Sequence, residues 1–295
     1  MSYLFKVPDR LPDVPAKVPM FSATQFASLS SRDAKYQNAL AKRTSQAIKL
    51  FALKGEPANQ GERILVRDGS QSLEIYCASD SLWWANHDLS YSEGSRGAAK
   101  LPSEAEAKEI SKRELNRAKL DVTDARVSSV TYTEASTAGR DQKPKTQRTA
   151  IDVNYGFSLA ELPVFGPGAK IKVSVADAGK PAQVIYFWRR PKRSGSMATI
   201  SASDALERFQ RDPAFFRLRD TNAVIEIGKV GFGYYALSPT DFQRFYVPVY
   251  AVDATVRTRE FPQYDLRRYV VAVDMSAESA KAMDALANPA ACRMF

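Results

Sequence analysis

The chain of 295 residues holds one histidine, His87, and two cysteines, Cys77 and Cys292, which lie far apart. Metal sites gather several Cys, His or carboxylate ligands at short spacings. No such spacing occurs, so neither a metal nor another cofactor is expected. A Ser-His-Asp or Cys-His centre would have to recruit His87, in WWANHD. Neither Cys77 nor any serine sits in a nucleophile elbow, and Arg193-Ser194-Gly195-Ser196-Met197 is not GxSxG. His87 beside Asp88 would supply half of an acid/base pair; a polar loop residue is the simpler account. No phosphate-cradling glycine motif stands at a strand-to-helix junction, and Gly231-Phe232-Gly233, within a strand-like run, reads as a bulge or bend.

Long apolar runs are missing too. The longest stretch without a formal charge, Val18 to Ser31, is half polar, whereas a spanning helix needs roughly 20 mostly apolar residues. No membrane span is expected. The N-terminus MSYLFKVPDRLPDVPAKVPMF carries a charge every few residues and no apolar signal core. A cytoplasmic location is therefore expected, with free thiols; a single Cys77 to Cys292 bridge is the alternative.

What the chain has is basic charge and aromatic rings. The net charge is +9, from 42 Lys and Arg against 33 Asp and Glu. The densest cluster is Arg189, Arg190, Lys192 and Arg193, and a looser one is Arg140, Lys143, Lys145 and Arg148. Solvated loop charges are the simpler account and anion binding the alternative; nucleic acid is not expected as a partner. The aromatic residues are 15 Phe, 13 Tyr and 3 Trp. Neighbours in a strand face opposite sides, so the rings of Trp83, Trp84, Trp188, Tyr234, Tyr235, Tyr246 and Tyr250 are candidates for a surface that holds a protein or a small apolar ligand.

Residues 1–30 form a proline-rich arm whose Pro8, Pro12, Pro15 and Pro19 disfavour helix and an internal strand. It carries enough apolar side chains to pack across its own chain or reach a neighbouring subunit. From Asp33 a helical recurrence of Leu40, Ala47, Ile48 and Phe51 runs to Gly55 as its closing residue. ERILVRDGSQSLEIYCAS is a hairpin turning at Asp68-Gly69, and SLWWAN extends it. Ser103-Glu104-Ala105-Glu106 is a capping box opening a helix to about Leu120. On its apolar arc Glu114 is a candidate general acid, or a glutamate paired with a nearby base.

Strands follow at Arg126–Thr133 and Thr149–Phe157, with Glu134–Arg148 as a long mobile loop. A further hairpin turns at Asp177 to Lys180. Ser201 or Ser203 caps a short helix. Strands at Ala223–Leu237, Phe245–Thr258 and Arg267–Met275 precede a last helix from Ser276. The fold class expected is α+β, a repeated helix plus antiparallel β-hairpin. The units expected are 31–98 and 99–165, then 166–295 with the C-terminal strands and helix.

ELPVFGPGAKIKVSVADAGKPAQVIYFWRR followed by ISASDALERF resembles the PepSY-like modules of bacterial YycH/YycI-type accessory proteins. VGFGYYALSPTDFQRFYVPVYAV resembles their recurring strand pair, and LPSEAEAKEISKREL their capped helix. The likeness covers roughly residues 100–275, with a weaker echo at 33–90, and contains no catalytic signature. It implies PepSY/cystatin-like units, an extracytoplasmic location, and a non-catalytic binding, inhibitory or regulatory role. The function expected is therefore binding, regulation or assembly through protein contacts, self-association included. The alternatives are a polyanion binder acting through residues 189–193 beside Trp188, and an enzyme of unrecognised type.

Overall fold

A computed structural model describes residues 4–23, 33–90, 100–137, 145–212, 223–259 and 262–273. The helix expected from Ser276, the residue Cys292 and the centre of the expected 134–148 loop lie outside these.

Helix α1 spans Ala34–Leu50, its first turn closed by Asp33, whose carboxylate accepts from the Lys35 amide at 2.7 Å. It ends earlier than the sequence pattern suggests. Ala52, at φ +53, makes the reversal, and the Leu53 amide returns to the Ile48 carbonyl. This left-handed closure satisfies carbonyls that the last turn leaves open. Leu53 then plugs the core where Gly55 was expected to end the helix.

Short strands β3 (Pro57–Asn59), β4 (Arg63–Asp68), β5 (Gln71–Tyr76) and β6 (Leu82–Asn86) form a meander, followed by the single turn α2 (His87–Ser90). The β4 to β5 turn is the expected one, with Gly69 at φ +57. Helix α3 (Glu104–Arg117) carries the full capping box of Ser103 with Glu106. Strands β7 (Ala125–Thr137), β8 (Lys145–Leu159), β9 (Leu162–Phe165), β10 (Lys170–Val175) and β11 (Pro181–Phe187) come next. The β7–β8 pairing consumes both ends of the segment expected to be a loop: Glu134 pairs with Arg148 and Thr137 with Lys145. The Asp177 to Lys180 turn stands as expected, with Ala178 and Gly179 at positive φ.

The strands run in the order β3, β4, β5, β6, β11, β10, β8, with β7 on β8. Period-two alternation puts Val66, Leu73, Trp84, Val184, Val173 and Val153 in one buried row across six strands. Helices α1 and α3 cover that face, through Tyr36, Leu40 and Ala47 and through Ala107 and Leu115. The opposite face is polar at its centre. There Asp152 accepts from Ser174 at 2.5 Å and from Thr133 at 2.7 Å, with Lys172 at 3.6 Å.

The remaining strands are β1 (Leu4–Lys6), β2 (Lys17–Ala23), β12 (Pro191–Ala198), β13 (Val224–Tyr235), β14 (Phe245–Arg257) and β15 (Tyr264–Val271), with helix α4 (Ala202–Gln210) capped by Ser201. Strand β14 lies between β13 and β15. Strands β1 and β9 both join β13 in parallel, while β2 bridges β12 and β14. Phe209 and Leu206 of α4 close this part over Ile225, Val252 and Val256. Strand β9 pairs with β8 as well as β13, so the fifteen strands among the described residues belong to one mixed sheet. The approach of β9 needs Gly233: a Cβ there would sit 2.2 Å from the Pro163 carbonyl oxygen. The irregularity of β13 falls at Gly228, between Ile227 and Lys229, not at the expected Gly231 and Gly233.

The expected repeat of helix-plus-hairpin units, PepSY/cystatin-like, is therefore wrong. The sequence pattern assigned one covering helix to each hairpin. Hairpins instead join edge to edge into one large mixed sheet, which α1, α3 and α4 cover in places. Pairing crosses the expected unit limits, β11 on β6 and β10 on β8.

The arm does enter the sheet as β2, but the part that carries Pro19 has β12 alone as its neighbour, in keeping with prolines that disfavour an internal strand. Pairing with β14 is confined to Phe21 and Ser22, so the missing amide of Pro19 interrupts no second ladder. Its carbonyl accepts from the Tyr234 hydroxyl at 2.6 Å. Among the described residues no helix is long and apolar enough to cross a membrane.

Candidate functional site

Helices α1 and α3 converge at their C-terminal ends, where Arg117 of α3 donates to the Leu50 carbonyl of α1. Beside this junction opens a cleft of about 670 Å³. Arg43, Gln46, Lys49 and Leu50 of α1 form one wall, and Lys119, Leu120 and Asp121 after α3 another. Asp80 from the β5–β6 turn and Tyr186, Trp188 and Arg190 at and beyond the end of β11 complete it. Helix α1 and short segments from three other places in the chain thus line the cleft.

The carboxylates and the phenol of the cleft are tied up. Arg43 Nε lies 2.7 Å from Asp80 Oδ1. Burial pushes the Asp80 carboxyl up, against the pull of Arg43 downward. Asp121 is held below the usual carboxylate range by the Thr123 hydroxyl at 2.7 Å and the Thr123 amide at 3.1 Å, with Arg190 at 3.6 Å. The Tyr186 hydroxyl donates to the Asp121 carbonyl at 3.0 Å, and burial raises its pKa well above the ordinary phenol value. Asp80 and Lys119 both hold positive φ, +56 and +51. Glu114, the expected general acid, is engaged by Arg117 through Nε at 2.9 Å and Nη2 at 2.5 Å.

No family model matches this chain. No curated protein matches it either. An uncharacterized protein from Eubacterium rectale, known from a crystal structure, is similar at 10% sequence identity, over 86% of this chain and 83% of its own, with a TM-score of 0.43.

The basic cluster separates. Arg189 is 1% exposed and its guanidinium holds three backbone carbonyls, of Leu237 at 3.0 Å, Ser238 at 2.7 Å and Asp241 at 2.6 Å. Burial pulls its pKa down to about 10, still protonated at neutral pH. Arg190 reaches the cleft, whereas Lys192 and Arg193 are exposed on β12.

Five of the aromatic candidates are core residues. Trp84 stacks on Phe51 at 5.2 Å, and Trp188 on Phe157 at 3.8 Å. The hydroxyls of Tyr234, Tyr246 and Tyr250 donate to the carbonyls of Pro19, Arg189 and Ile200. Their burial removes these rings from any exposed recognition surface. Trp83 and Tyr235 are half-buried, Trp83 with its indole nitrogen lacking a partner and Tyr235 against Tyr269 at 4.6 Å.

His87 is exposed and shares a hydrogen bond with Ser72 at 3.0 Å. Among the described residues no group of three or more His, Cys, Asp or Glu could hold a metal ion. Cys77 is buried.

Arg43, Lys49, Asp80, Lys119, Asp121 and Tyr186 of the cleft were missed from sequence. One local signal was available: α3 ends in Ala118-Lys119-Leu120 with no glycine to make the left-handed turn.

Proposed function

We propose that this chain is a non-catalytic binding protein whose ligand site is the cleft between the ends of α1 and α3. The observation that carries the reading is the state of its ionisable groups. Each carboxylate is already committed to a cation or a hydroxyl, and the one phenol donates to a carbonyl. Such groups hold a ligand's charge and shape; none is poised to transfer a proton. The volume falls in the range of small-molecule sites, roughly 300–1,000 Å³.

The test is a thermal-shift survey of small metabolites on the full chain. At least one compound is expected to raise the midpoint of the wild type but not of Arg43→Ala. Turnover of that compound, abolished by the same substitution, would overturn the reading.

Self-association is a second reading with its own support. Strand β7 is 13 residues long, pairs only with β8 among the described residues, and exposes Val127. A long uncovered edge is a template for another strand. Sedimentation over a concentration series is expected to show a dimer; a monomer throughout would sink this reading.

A further inference from the structure

The cleft has more positive than negative charge. Arg43 is matched by Asp80 and Arg190 by Asp121. Lys49 and Lys119 line the same space and have no carboxylate at ion-pair distance among the described residues. Helix C-termini carry partial negative charge and attract cations, which would explain the two lysines without a ligand. At α1, however, the Leu50 carbonyl is taken by Arg117. The Lys49 ammonium is therefore in excess of what that helix end needs.

The backbone at Lys119 adds an independent observation. Its φ of +51 lies where glycine is the default and any side chain is disfavoured. The equivalent residue after α1, Ala52 at φ +53, makes the same closure with only a methyl group and does not line the cleft. The turn itself thus has no need of a lysine. Strained residues gather at ligand sites, and Asp80, also at positive φ, is a second one in this cleft.

We infer that the cleft seats the phosphate group of a small organic ligand. Lys49 and Lys119 act as point charges and Arg190 as a directional donor. The inference rests on the cleft being the ligand site, as proposed above. A phosphate monoester carries up to two charges at neutral pH, which suits two unmatched ammonium groups better than a single carboxylate does. The remaining volume, bounded by Leu50, Leu120 and Tyr186, takes the organic part.

Pyrophosphate is the probe, titrated calorimetrically into the full chain at low salt with malonate as the carboxylate control. Pyrophosphate is expected to bind more tightly than malonate and to weaken as salt rises. Lys49→Ala and Lys119→Gly should each weaken it about tenfold or more, and Ala52→Gly should leave it unchanged. Lys119→Gly and Ala52→Gly should both raise the thermal midpoint, which shows that the lost binding is not lost folding. Equal affinity for pyrophosphate in Lys119→Gly and wild type, or malonate binding as tightly, would overturn the inference. A neutral compound whose thermal shift is lost in Arg43→Ala would exclude the phosphate yet leave the cleft as the ligand site. No shift with any compound would remove both.

Discussion

Arg189→Met is expected to lower stability by about 2–4 kcal/mol, since hydrogen bonds to a charged donor contribute about 1.5–3 kcal/mol each and the released desolvation of the guanidinium offsets part of the loss. Methionine roughly preserves volume, so the effect isolates the polar contacts. Arg189 gathers the carbonyls of Leu237, Ser238 and Asp241 from one segment, and without it all three lose their charged donor. Gln243 holds the same segment from the other side, through Leu237, Tyr235 and Phe245, so the turn should loosen locally before the sheet fails. Lysine keeps the charge but has no planar fork, so Arg189→Lys should recover only a fraction. Urea denaturation reads the outcome as a lower midpoint at an unchanged slope. A loss under about 1 kcal/mol would show that solvent replaces the guanidinium readily.

Removal of residues 1–23 is expected to abolish cooperative folding of the part built on β13 and β14. Val18 and Ala23 are buried, and Phe5, Leu11, Val14, Met20 and Phe21 are partly so. Full burial of one large apolar side chain stabilises by about 1.5–3 kcal/mol. The leader's sum is then on the order of 5–10 kcal/mol, comparable with the whole stability of an ordinary domain. The backbone adds to this: Thr199 donates to the Ala16 carbonyl at 3.0 Å and, through its hydroxyl, to that of Pro15 at 2.5 Å. Truncated chain that melts at the wild-type midpoint would show that the leader is dispensable.

Local features were legible in the sequence because their causes are local. The Ser103 capping box, the Gly69 turn and the 177–180 turn depend on residues within four positions of one another. Edge-to-edge pairing of β6 with β11, and the insertion of β9 against β13, depend on residues far apart in the chain, such as Gln183 with Ala85 and Tyr234 with Val164, and leave no local mark. The site followed the same division. Arg189 and Arg190 are alike as neighbours in a sequence, yet one is buried under the 237–241 segment and the other reaches the cleft. Tyr234, Tyr246 and Tyr250 were legible as prominent rings, but only the position of distant carbonyls shows that their hydroxyls are satisfied inside.

The place of β2 bears on how the chain is made. Its partners are β12 and the start of β14, and the Pro19 carbonyl meets a hydroxyl 215 residues downstream. During synthesis β2 must wait for β12 and β14, which are made far later in the chain. Domains that fold from the N-terminus can set as they emerge; this one can complete only its helix-covered sheet early. Until β12 and β14 are made, the apolar side chains of β2 stay uncovered, and closing so distant a contact is intrinsically slow.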